Sequence, residues 1–395
     1  MSVVERVLRR VDRAAVSVDD EPFDIPGEVE RLDERDVVFA KGIKGRLGPI
    51  MKRRVRQPFP DALHRTLFPS TRFENSVQWH LYEAADGPVN PQRTELASEE
   101  AAALTKEMAR FLGADLVGIC EPRQEFVYTH RGNVMDYPKG RLGDPIECGH
   151  RFAISIAMGM DRTRTLASPS YIENSETGLK YAQLALTASM LAGWIRELGH
   201  DARAHIFINE EVLHQPIAVL AGLGELGRND SVISPEFGPA MRLATVTTDL
   251  PLVVDEPISI GVKEFCSTCK KCADNCPASA LSHGPPKETR GIRKWVLDGE
   301  RCYRFWNSNP QGWSSCANCL KSCPYLKDWT WYHRVSLAAT KRSRLGRQCL
   351  KWLDDRVYGE IPMYPTTQLG HSFPRPPGPT PVRITRKPEV DRAAR

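Results

Sequence analysis

A run of four cysteines in the second half of the chain constrains its fold more than any other feature. The stretch FCSTCKKCADNCPASAL places Cys266, Cys269, Cys272 and Cys276 in the spacing C-x2-C-x2-C-x3-C-P. Three thiolates this close together can bind three corners of one cubane 4Fe-4S cluster, and in two-cluster proteins the fourth cysteine of such a run ligates the other cluster. The spacing therefore predicts a second cysteine run in the same chain.

The second run lies in CYRFWNSNPQGWSSCANCLKSCPY, and its members are Cys302, Cys316, Cys319 and Cys323. A crossed arrangement of the two runs uses each of the eight cysteines once. The first set is then Cys266, Cys269, Cys272 and Cys323, and the second set is Cys276, Cys302, Cys316 and Cys319. The gap between Cys302 and Cys316 departs from the spacing of a symmetric bacterial ferredoxin. Two 4Fe-4S clusters in a ferredoxin-like segment are the prediction.

Zinc is the alternative metal, because paired C-x2-C motifs also bind Zn²⁺. The doubled run favours iron, since a zinc site needs four ligands and has no use for the longer repeated pattern. Three cysteines lie outside the two runs: Cys120, Cys148 and Cys349. Cys120 ends the apolar stretch DLVGIC and is predicted to be a small core residue.

Composition and charge exclude several classes of protein. The chain has 395 residues, 41% of them hydrophobic and 26% charged, as in ordinary globular proteins. Its net charge of +5 is small and its basic residues are interspersed with acids, so no nucleic-acid partner is expected. No apolar run is long enough to span a bilayer, and Arg9 and Arg10 are not followed by the apolar stretch of an export signal. We therefore expect a cytoplasmic protein without membrane association, whose cysteines bind metal.

A second motif, AGLGELGRND, has the GxGxxG spacing of dinucleotide-binding loops at Gly222, Gly224 and Gly227. The preceding residues 217–221 are compatible with a short buried strand. The helix that should follow is opposed by the stretch NDSVISPEFGP, whose prolines and glycine break helices. The glycines are therefore expected to serve another purpose.

The hydrophobic pattern divides the chain into four parts. Residues 1–94 are expected to form an extended cover, 95–255 an α+β domain, 256–330 the cluster domain, and 331–395 an extension with a proline-rich tail. Strands are predicted within ADLVGIC, RFAISIAMGM, ARAHIFI and MRLATVTTDL. A first helix should begin after Ser98 as N-cap and bury Leu104, Met108 and Phe111; a longer one should bury Met190 and Trp194.

One long stretch carries a family resemblance. The string VLAGLGELGRNDSVISPEFGPAMRLATVTTDLPLVVDEPISIGVKEFCSTCKKCADNCPASAL, followed by the second cysteine run, resembles the core of the reductive dehalogenases. Supporting pieces are GADLVGICEP and WIRELGHDARAH, so the likeness spans about residues 95–330. It is weak or absent at both ends of the chain.

The resemblance implies a fold and a set of cofactors. The α+β domain would be a nitroreductase-like corrinoid-binding domain, with the ferredoxin-like two-cluster domain inserted or appended. A base-off cobalamin, reduced to Co(I), would receive electrons from the two 4Fe-4S clusters and cleave a carbon–halogen bond. Small glycines would let the backbone approach the flat macrocycle. The implied corrinoid contacts are Gly222, Gly224, Gly227, Ser234, Glu236, Phe237 and Gly238.

The resemblance also implies a proton donor and a basic partner. The basic residue of the family's G-E-x-x-[KR] stretch falls on Arg228, and Tyr171 in LASPSYIENSE is the preferred match for its tyrosine. Tyr181 is the competing candidate. The tyrosine would donate a proton to carbon as the halide leaves, and the arginine would orient it or hold an anionic substrate.

The implied activity is an oxidoreductase acting on a small organohalide, of which a halogenated aromatic is the expected example. The chain lacks the twin-arginine signal of the respiratory members, so it resembles the non-exported type and would need an external donor such as a ferredoxin, flavodoxin or reductase. An epoxyqueuosine reductase acting on tRNA shares the same core and is the second candidate. A non-catalytic electron-transfer subunit is the third.

Overall fold

A four-stranded antiparallel sheet forms the centre of the computed structural model, which describes residues 21–48, 81–132, 142–207, 209–308, 316–326 and 344–359. Its strands are β1 (Leu116–Cys120), β2 (Phe152–Gly159), β3 (Ala202–His205) and β6 (Met241–Thr248), in the order β1-β2-β6-β3. Each matches one of the four predicted strands. Two short hairpins complete the described strands: β4 (Glu225–Leu226) with β5 (Val232–Ile233), and β7 (Lys287–Thr289) with β8 (Ile292–Lys294).

The described ranges hold ten α-helices. In chain order they are α1 (Val38–Ile43), α2 (Ser98–Phe111), α3 (Arg162–Leu166), α4 (Tyr171–Glu197), α5 (His214–Leu220), α6 (Val262–Thr268), α7 (Lys271–Asp274), α8 (Gly299–Ser308), α9 (Asn318–Lys321) and α10 (Arg344–Tyr358). Three 3-10 turns lie at Glu34–Asp36, Glu83–Ala85 and Gln124–Phe126.

Both faces of the sheet are covered, which gives the protein two packed layers around it. Helices α2 and α4 cover one face, where Ile154 and Ile156 of β2 lie in the same apolar core as Leu191 of α4. Helix α5 covers the other face, where Ala153 and Ala157 pack with Ile217. Neighbouring side chains of a strand point to opposite faces of the sheet. Since both faces are covered, β2 is buried along its whole length.

Several details of the predicted helices and strands are wrong. Ser98 is the first residue of α2 and does not cap it, since the N-cap is Ala97. Phe111 is 84% exposed, because α2 buries its alanines instead: the small side chains let the helix lie close to the sheet. Leu104 on α2 and Met190 on α4 are exposed as well. Residues 217–221, compatible with a strand, lie in and directly after helix α5.

The segment of residues 21–48 contacts two parts of the molecule: the sheet unit, formed by β1, β2, β3 and β6 with helices α2, α4 and α5, and the cysteine-rich segment, residues 262–326. Thr129 donates a backbone hydrogen bond to Leu32, and the Glu34 carboxylate accepts one from Gly132. Further along, Arg293 of β8 donates its backbone N–H to Asp24. Cys120 and Cys148 are buried, as predicted for Cys120, and Cys349 is exposed.

Across the part of the chain that the structure describes, no helix combines the length and the apolar character that crossing a membrane would require.

Candidate functional site

The cysteine-rich segment is built from short helices that bring distant thiols together. Cys266 lies in α6, Cys272 in α7, Cys302 in α8 and Cys319 in α9, and all are free thiols. Two short helices, α7 and α9, contact each other directly. The two cysteine runs therefore meet, although Cys319 lies 47 positions after Cys272 in the chain.

The thiols fall into two groups of neighbours. Cys323 lies within electrostatic range of Cys266 and Cys269, and Cys272 lies within range of those three. Cys316 and Cys319 both lie within range of Cys276 and Cys302. Some contact also occurs across the groups, since Cys319 is near Cys272 and Cys323.

Burial and mutual repulsion make these thiols hard to ionise in the absence of a metal. Burial raises the pKa of Cys266 and Cys319 to about 12 and that of Cys302 to about 11. The pKa of Cys272, Cys316 and Cys323 also rises, first through burial and then through neighbouring thiols. Thiolates here need a compensating positive charge, which bound iron supplies.

The spacing of the donors bears on the kind of metal site. Within the described ranges, no three His, Cys, Asp or Glu side chains converge as the ligands of a single ion do. The eight thiols form two groups of four, and each 4Fe-4S cubane takes four thiolates, one at each iron.

Arg228 holds the first cysteine run in place. Its guanidinium is 2% exposed and donates to the carbonyl oxygens of Cys266 (2.8 Å), Cys269 (3.2 Å), Ser282 (2.7 Å) and Gly284 (3.1 Å). The ring of Trp295 stacks on it, with its centroid 4.7 Å from the guanidinium carbon. Each described contact of Arg228 is with the cysteine-rich segment, and no tyrosine is among them.

The glycine loop packs against the protein itself. A Cβ on Gly222 would lie 2.4 Å from the Glu256 carbonyl oxygen, and one on Gly224 would lie 2.3 Å from that of Ile233. At Gly227 the obstacle is the Ile233 side chain, and at Gly238 it is the Tyr325 carbonyl oxygen. These glycines let segments of the protein approach each other; that they also make room for a macrocycle stays a prediction.

The residues that follow the glycines form a tight turn. Ser234 is buried, and its hydroxyl accepts a hydrogen bond from the Phe237 N–H at 2.9 Å. The Phe237 ring lies over Gly159 at the end of β2, and Glu236 is exposed. Contact of this turn with a corrinoid stays a prediction.

A tyrosine and an arginine meet at the edge of the sheet. The Tyr181 ring on α4 lies 5.6 Å from the guanidinium carbon of Arg242 on β6. Arg242 donates to the Thr177 hydroxyl at 2.8 Å and lies 3.8 Å from the buried Glu173 carboxylate. Burial raises the pKa of Tyr181, while the charge of Arg242 opposes that rise. Tyr171 begins the same helix, and its side chain lies outside the described part of the structure.

Aromatic rings continue from Tyr181 to the second cysteine set. Tyr181 stacks on Phe207 with ring centroids 4.4 Å apart, and Phe207 meets Phe39 edge-on at 5.6 Å. Phe39 in turn contacts Tyr303 and Trp306 of α8. Trp306 hydrogen-bonds to the Cys302 thiol.

Sequence reasoning missed Arg242 and Lys271. Arg242 occupies an otherwise apolar strand, MRLATVTTDL, and a charge at such a position could have signalled a buried partner. Lys271 lies between two cysteines of the first run and is 3% exposed. It pairs with Asp354 and, at 3.1 Å, with Asp355, both on α10. No local pattern links these residues across the chain.

Comparison with known proteins agrees with this arrangement. Residues 265–326 match the 4Fe-4S dicluster domain. The tetrachloroethene reductive dehalogenase of Dehalobacter restrictus is 36% identical over 288 residues, which cover 62% of this chain and 51% of that protein. The enzyme of the same name from Sulfurospirillum multivorans is 32% identical, covering 58% and 50%.

Solved structures of reductive dehalogenases are similar to this chain over a larger share of its length. The catabolic reductive dehalogenase NpRdhA superposes with a TM-score of 0.76 at 26% identity, covering 86% of this chain and 48% of that one. An epoxyqueuosine reductase of Atelocyanobacterium thalassa matches less, being 31% identical over 27% of this chain and 35% of its own. This chain spans about half the length of the curated dehalogenases it matches. In its cysteine runs and its sheet unit, and by these likenesses, the chain is similar to the reductive dehalogenases over about half of their length.

Proposed function

We propose that this chain is a corrinoid-dependent reductive dehalogenase, an oxidoreductase that cleaves a carbon–halogen bond in a small organohalide. The reaction adds two electrons and one proton to the substrate, replaces the halogen on carbon by hydrogen, and releases halide. The observation that carries the proposal is the pairing of Tyr181 with Arg242 at one end of an aromatic wall that reaches Cys302 at the other. Tyr181, the proposed proton source, and Cys302, a proposed ligand of an electron-carrying cluster, therefore border the same aromatic wall.

Two 4Fe-4S clusters would bring the electrons. We assign one cluster to the first set and the other to the second set, because the thiols of each set are neighbours. Iron–sulfur clusters suit this task because their potentials are tuned over about −700 to +450 mV by hydrogen bonds, charge and solvent exposure. Arg228 would act on the first cluster indirectly, by fixing the backbone of its ligands.

A cobalamin, bound base-off as the family resemblance implies, would supply the two electrons to the substrate carbon. One solved neighbour is described in terms of B12-dependent dehalogenation. We propose that the sheet unit is the nitroreductase-like corrinoid-binding domain and that residues 222–238 border the cofactor. Two buried donors fit such a ligand, since Asn229 Nδ2 and Arg242 Nε have no hydrogen-bond partner among the described residues. The amide groups around a corrinoid can accept these bonds.

Tyr181 is the proton donor in this proposal, in place of Tyr171, and Arg242 is its basic partner, in place of Arg228. A buried phenol with a raised pKa keeps its proton at neutral pH, which a donor requires. As the proton moves to carbon, the guanidinium of Arg242 stabilises the phenolate that forms. Thr177 and Glu173 hold Arg242 in position on its other side.

The substrate would lie against the wall formed by Phe207, Phe39 and Trp306, where a flat halogenated ring can stack. NpRdhA was solved in complex with 3-bromo-4-hydroxybenzoic acid. In this chain Arg242 would bind the negative charge of such an acid or phenolate. We further propose that the protein works in the cytoplasm with a separate electron donor, which is supported by its eleven free cysteines.

The test begins with protein reconstituted anaerobically with iron, sulfide and cobalamin. EPR should show a base-off Co(II) signal and, on further reduction, two 4Fe-4S signals. With 3-bromo-4-hydroxybenzoate and a chemical reductant, bromide should be released. Free, base-on cobalamin beside intact clusters would instead favour an electron-transfer subunit. Turnover of an epoxyqueuosine-containing tRNA stem-loop without halide release would favour the epoxyqueuosine reductase alternative.

The Tyr181→Phe variant tests the proton donor. It should lower the rate of bromide release by about 10²–10⁴-fold, the usual contribution of general acid catalysis, and leave the EPR signals unchanged. Tyr128→Phe is the matched control, because Tyr128 is also a buried tyrosine but lies in the core on the other face of the sheet. Equal rates in the wild type and Tyr181→Phe would overturn this assignment.

A further inference from the structure

The indole N–H of Trp295 is buried and lacks an acceptor among the described residues. Trp295 directly follows strand β8 and is 5% exposed, and its Nε1 atom is shielded from solvent. Buried polar groups of folded proteins nearly always have a hydrogen-bond partner. This donor therefore indicates an acceptor that the chain itself does not supply.

The surroundings of Trp295 indicate what that acceptor is. Its ring lies in the small apolar core next to the first set, whose other buried members are Ile233, Val262, Cys266 and Cys323. Among these buried side chains, only those of the two cysteines carry an atom that accepts a hydrogen bond. The Arg228 guanidinium lies over the Trp295 ring, 4.7 Å from its centroid, and has donors only. Sulfur is therefore the acceptor that the buried side chains around Trp295 can offer.

One short stretch of backbone holds both the indole and the guanidinium in place. The Ser282 N–H donates to the carbonyl oxygen of Val296, the residue after Trp295, at 3.2 Å. The carbonyl oxygen of Ser282 accepts from Arg228 at 2.7 Å. Because Arg228 also donates to the Cys266 carbonyl, the position of Trp295 is fixed relative to a cysteine of the first set.

The second set contains a hydrogen bond of the kind that Trp295 lacks. Trp306 hydrogen-bonds to the thiol of Cys302, so an indole N–H does reach a cysteine of these sets. Trp306 is only partly buried, whereas Trp295 is buried among apolar side chains. A hydrogen bond is electrostatically stronger in such a surrounding than near water, so the same bond at Trp295 should have the larger effect.

We propose that the Trp295 N–H donates a hydrogen bond to a sulfur atom of the 4Fe-4S cluster bound by the first set, and thereby raises the reduction potential of that cluster. Reduction adds one negative charge to the cluster, and an apolar surrounding disfavours that charge. A hydrogen bond to sulfur stabilises the reduced state more than the oxidised state, so the potential rises. The inference rests on the proposed function in one respect, that Cys266 and Cys323 bind the same cluster.

The experiment measures the two cluster potentials and not dehalogenation. The full chain is reconstituted anaerobically with iron, sulfide and cobalamin, and its cluster EPR signals are titrated against potential. The signal that both Cys266→Ser and Cys323→Ser alter belongs to the first set. Trp295→Phe removes the N–H and keeps an aromatic ring for the guanidinium. Trp352→Phe is the matched control, because Trp352 is a tryptophan of α10 that is 66% exposed.

In Trp295→Phe, the ratio of reduced to oxidised first-set cluster at a fixed potential should fall about tenfold, which is a shift of about 59 mV to lower potential for a one-electron couple. The potential of the second-set cluster should not change. Both potentials of Trp352→Phe should stay at wild-type values. An unshifted first-set potential in Trp295→Phe, or an equal shift in Trp352→Phe, would overturn the inference alone.

A second measurement needs no variant of Trp295 and so decides the matter even if Trp295→Phe binds no iron. In wild-type protein whose tryptophan indoles carry ¹⁵N, pulsed EPR of the first-set signal should show a coupling to ¹⁵N, and its absence would overturn the inference. If Cys266→Ser and Cys323→Ser alter different signals, the inference and the proposed assignment of the first set both fail. Normal potentials and coupling without any halide release would support the inference and reject the dehalogenase activity.

Discussion

The sheet unit and the cysteine-rich segment are held together by different means. In the sheet unit, fully buried apolar side chains such as Ile154, Leu191 and Val246 form one large core. The apolar core next to the first set is much smaller, and two of its five buried members, Cys266 and Cys323, are cysteines. There, two buried cations, Arg228 and Lys271, join parts of the chain through hydrogen bonds and ion pairs.

The stability of the two regions therefore depends on different solution conditions. Apolar burial stabilises by about 25 cal/mol per Å² and is present in any aqueous buffer. Metal binding and buried charges stabilise only while iron is bound and each charge keeps its partner. The sheet unit should therefore survive treatments that dismantle the cysteine-rich segment, and the predictions below test that separation.

Removal of iron should have the largest effect. After anaerobic oxidation with ferricyanide in the presence of EDTA, we expect residues 262–326 to lose protection from hydrogen exchange, because the buried thiols lose the charge that compensates them. Strands β2 and β6 should keep their protection. Hydrogen exchange with mass spectrometry makes the measurement, and equal protection of the cysteine-rich segment before and after would contradict the comparison.

Arg228→Met should come next. The substitution removes the donors for four carbonyl oxygens of the cysteine-rich segment, and we expect a loss of about 3 kcal/mol in stability together with a lower iron content. Arg151→Met is the control, because Arg151 is 74% exposed and its ion pair with Glu121 contributes little. Iron analysis and chemical denaturation measure both effects. Full iron content in Arg228→Met would show that the guanidinium does not hold the segment.

Mild acid should act on the sheet unit, through its buried histidines. Burial is the main cause that lowers the pKa of His205 well below its ordinary value, and it lowers that of His214 to about 4. Protonation below the unfolded-state pKa of about 6.5 therefore favours the unfolded chain. The contribution of these histidines should be complete above that pH and should fall by about 2 kcal/mol for each of the two, about 4 kcal/mol together, as the pH drops to 5.

The pH effect is measured as the thermal midpoint at pH 7.5 and at pH 5. His205→Gln keeps a polar side chain without a titratable group, so its midpoint should change less between the two values than that of the wild type. An identical pH dependence in both proteins would mean that another group is responsible.

The smallest effect is expected inside the apolar core. Ile154→Val removes one buried methylene and should cost about 1 kcal/mol with no change in iron content. Leu186→Val, on the exposed side of α4, should stay within about 0.5 kcal/mol of the wild type. Denaturation with urea measures the free energy of unfolding of both variants. A loss of iron in Ile154→Val would show that the two regions are not independent.

The sequence predicted the parts of the molecule that local patterns encode. All four strands of the sheet were found, because their apolar residues alternate or run together over a strand's length. The cysteine spacing identified the dicluster segment, which the match over residues 265–326 confirms. The likeness of the glycine-to-cluster stretch pointed to the reductive dehalogenases, and the comparisons find the chain similar to them.

Other features depend on contacts between residues far apart in the chain. Phe111 lies at an apolar position of its helix, but the helix packs against the sheet through its alanines, and the Phe111 ring is exposed to solvent. The glycines of the loop were assigned to a cofactor, while their neighbours are Glu256, Ile233 and Tyr325. Arg242 meets Tyr181 only because β6 lies beside α4. No periodicity within one segment reports such contacts.

The ion pair of Lys271 has a consequence for how the protein is made. Its partner Asp354 follows 83 positions later, so the lysine emerges from the ribosome long before the charge that neutralises it. Until α10 arrives, burying Lys271 beside the first cysteine run is unfavourable, and the run stays accessible. Iron and sulfide can therefore be delivered to an open segment during synthesis, before α10 packs against it.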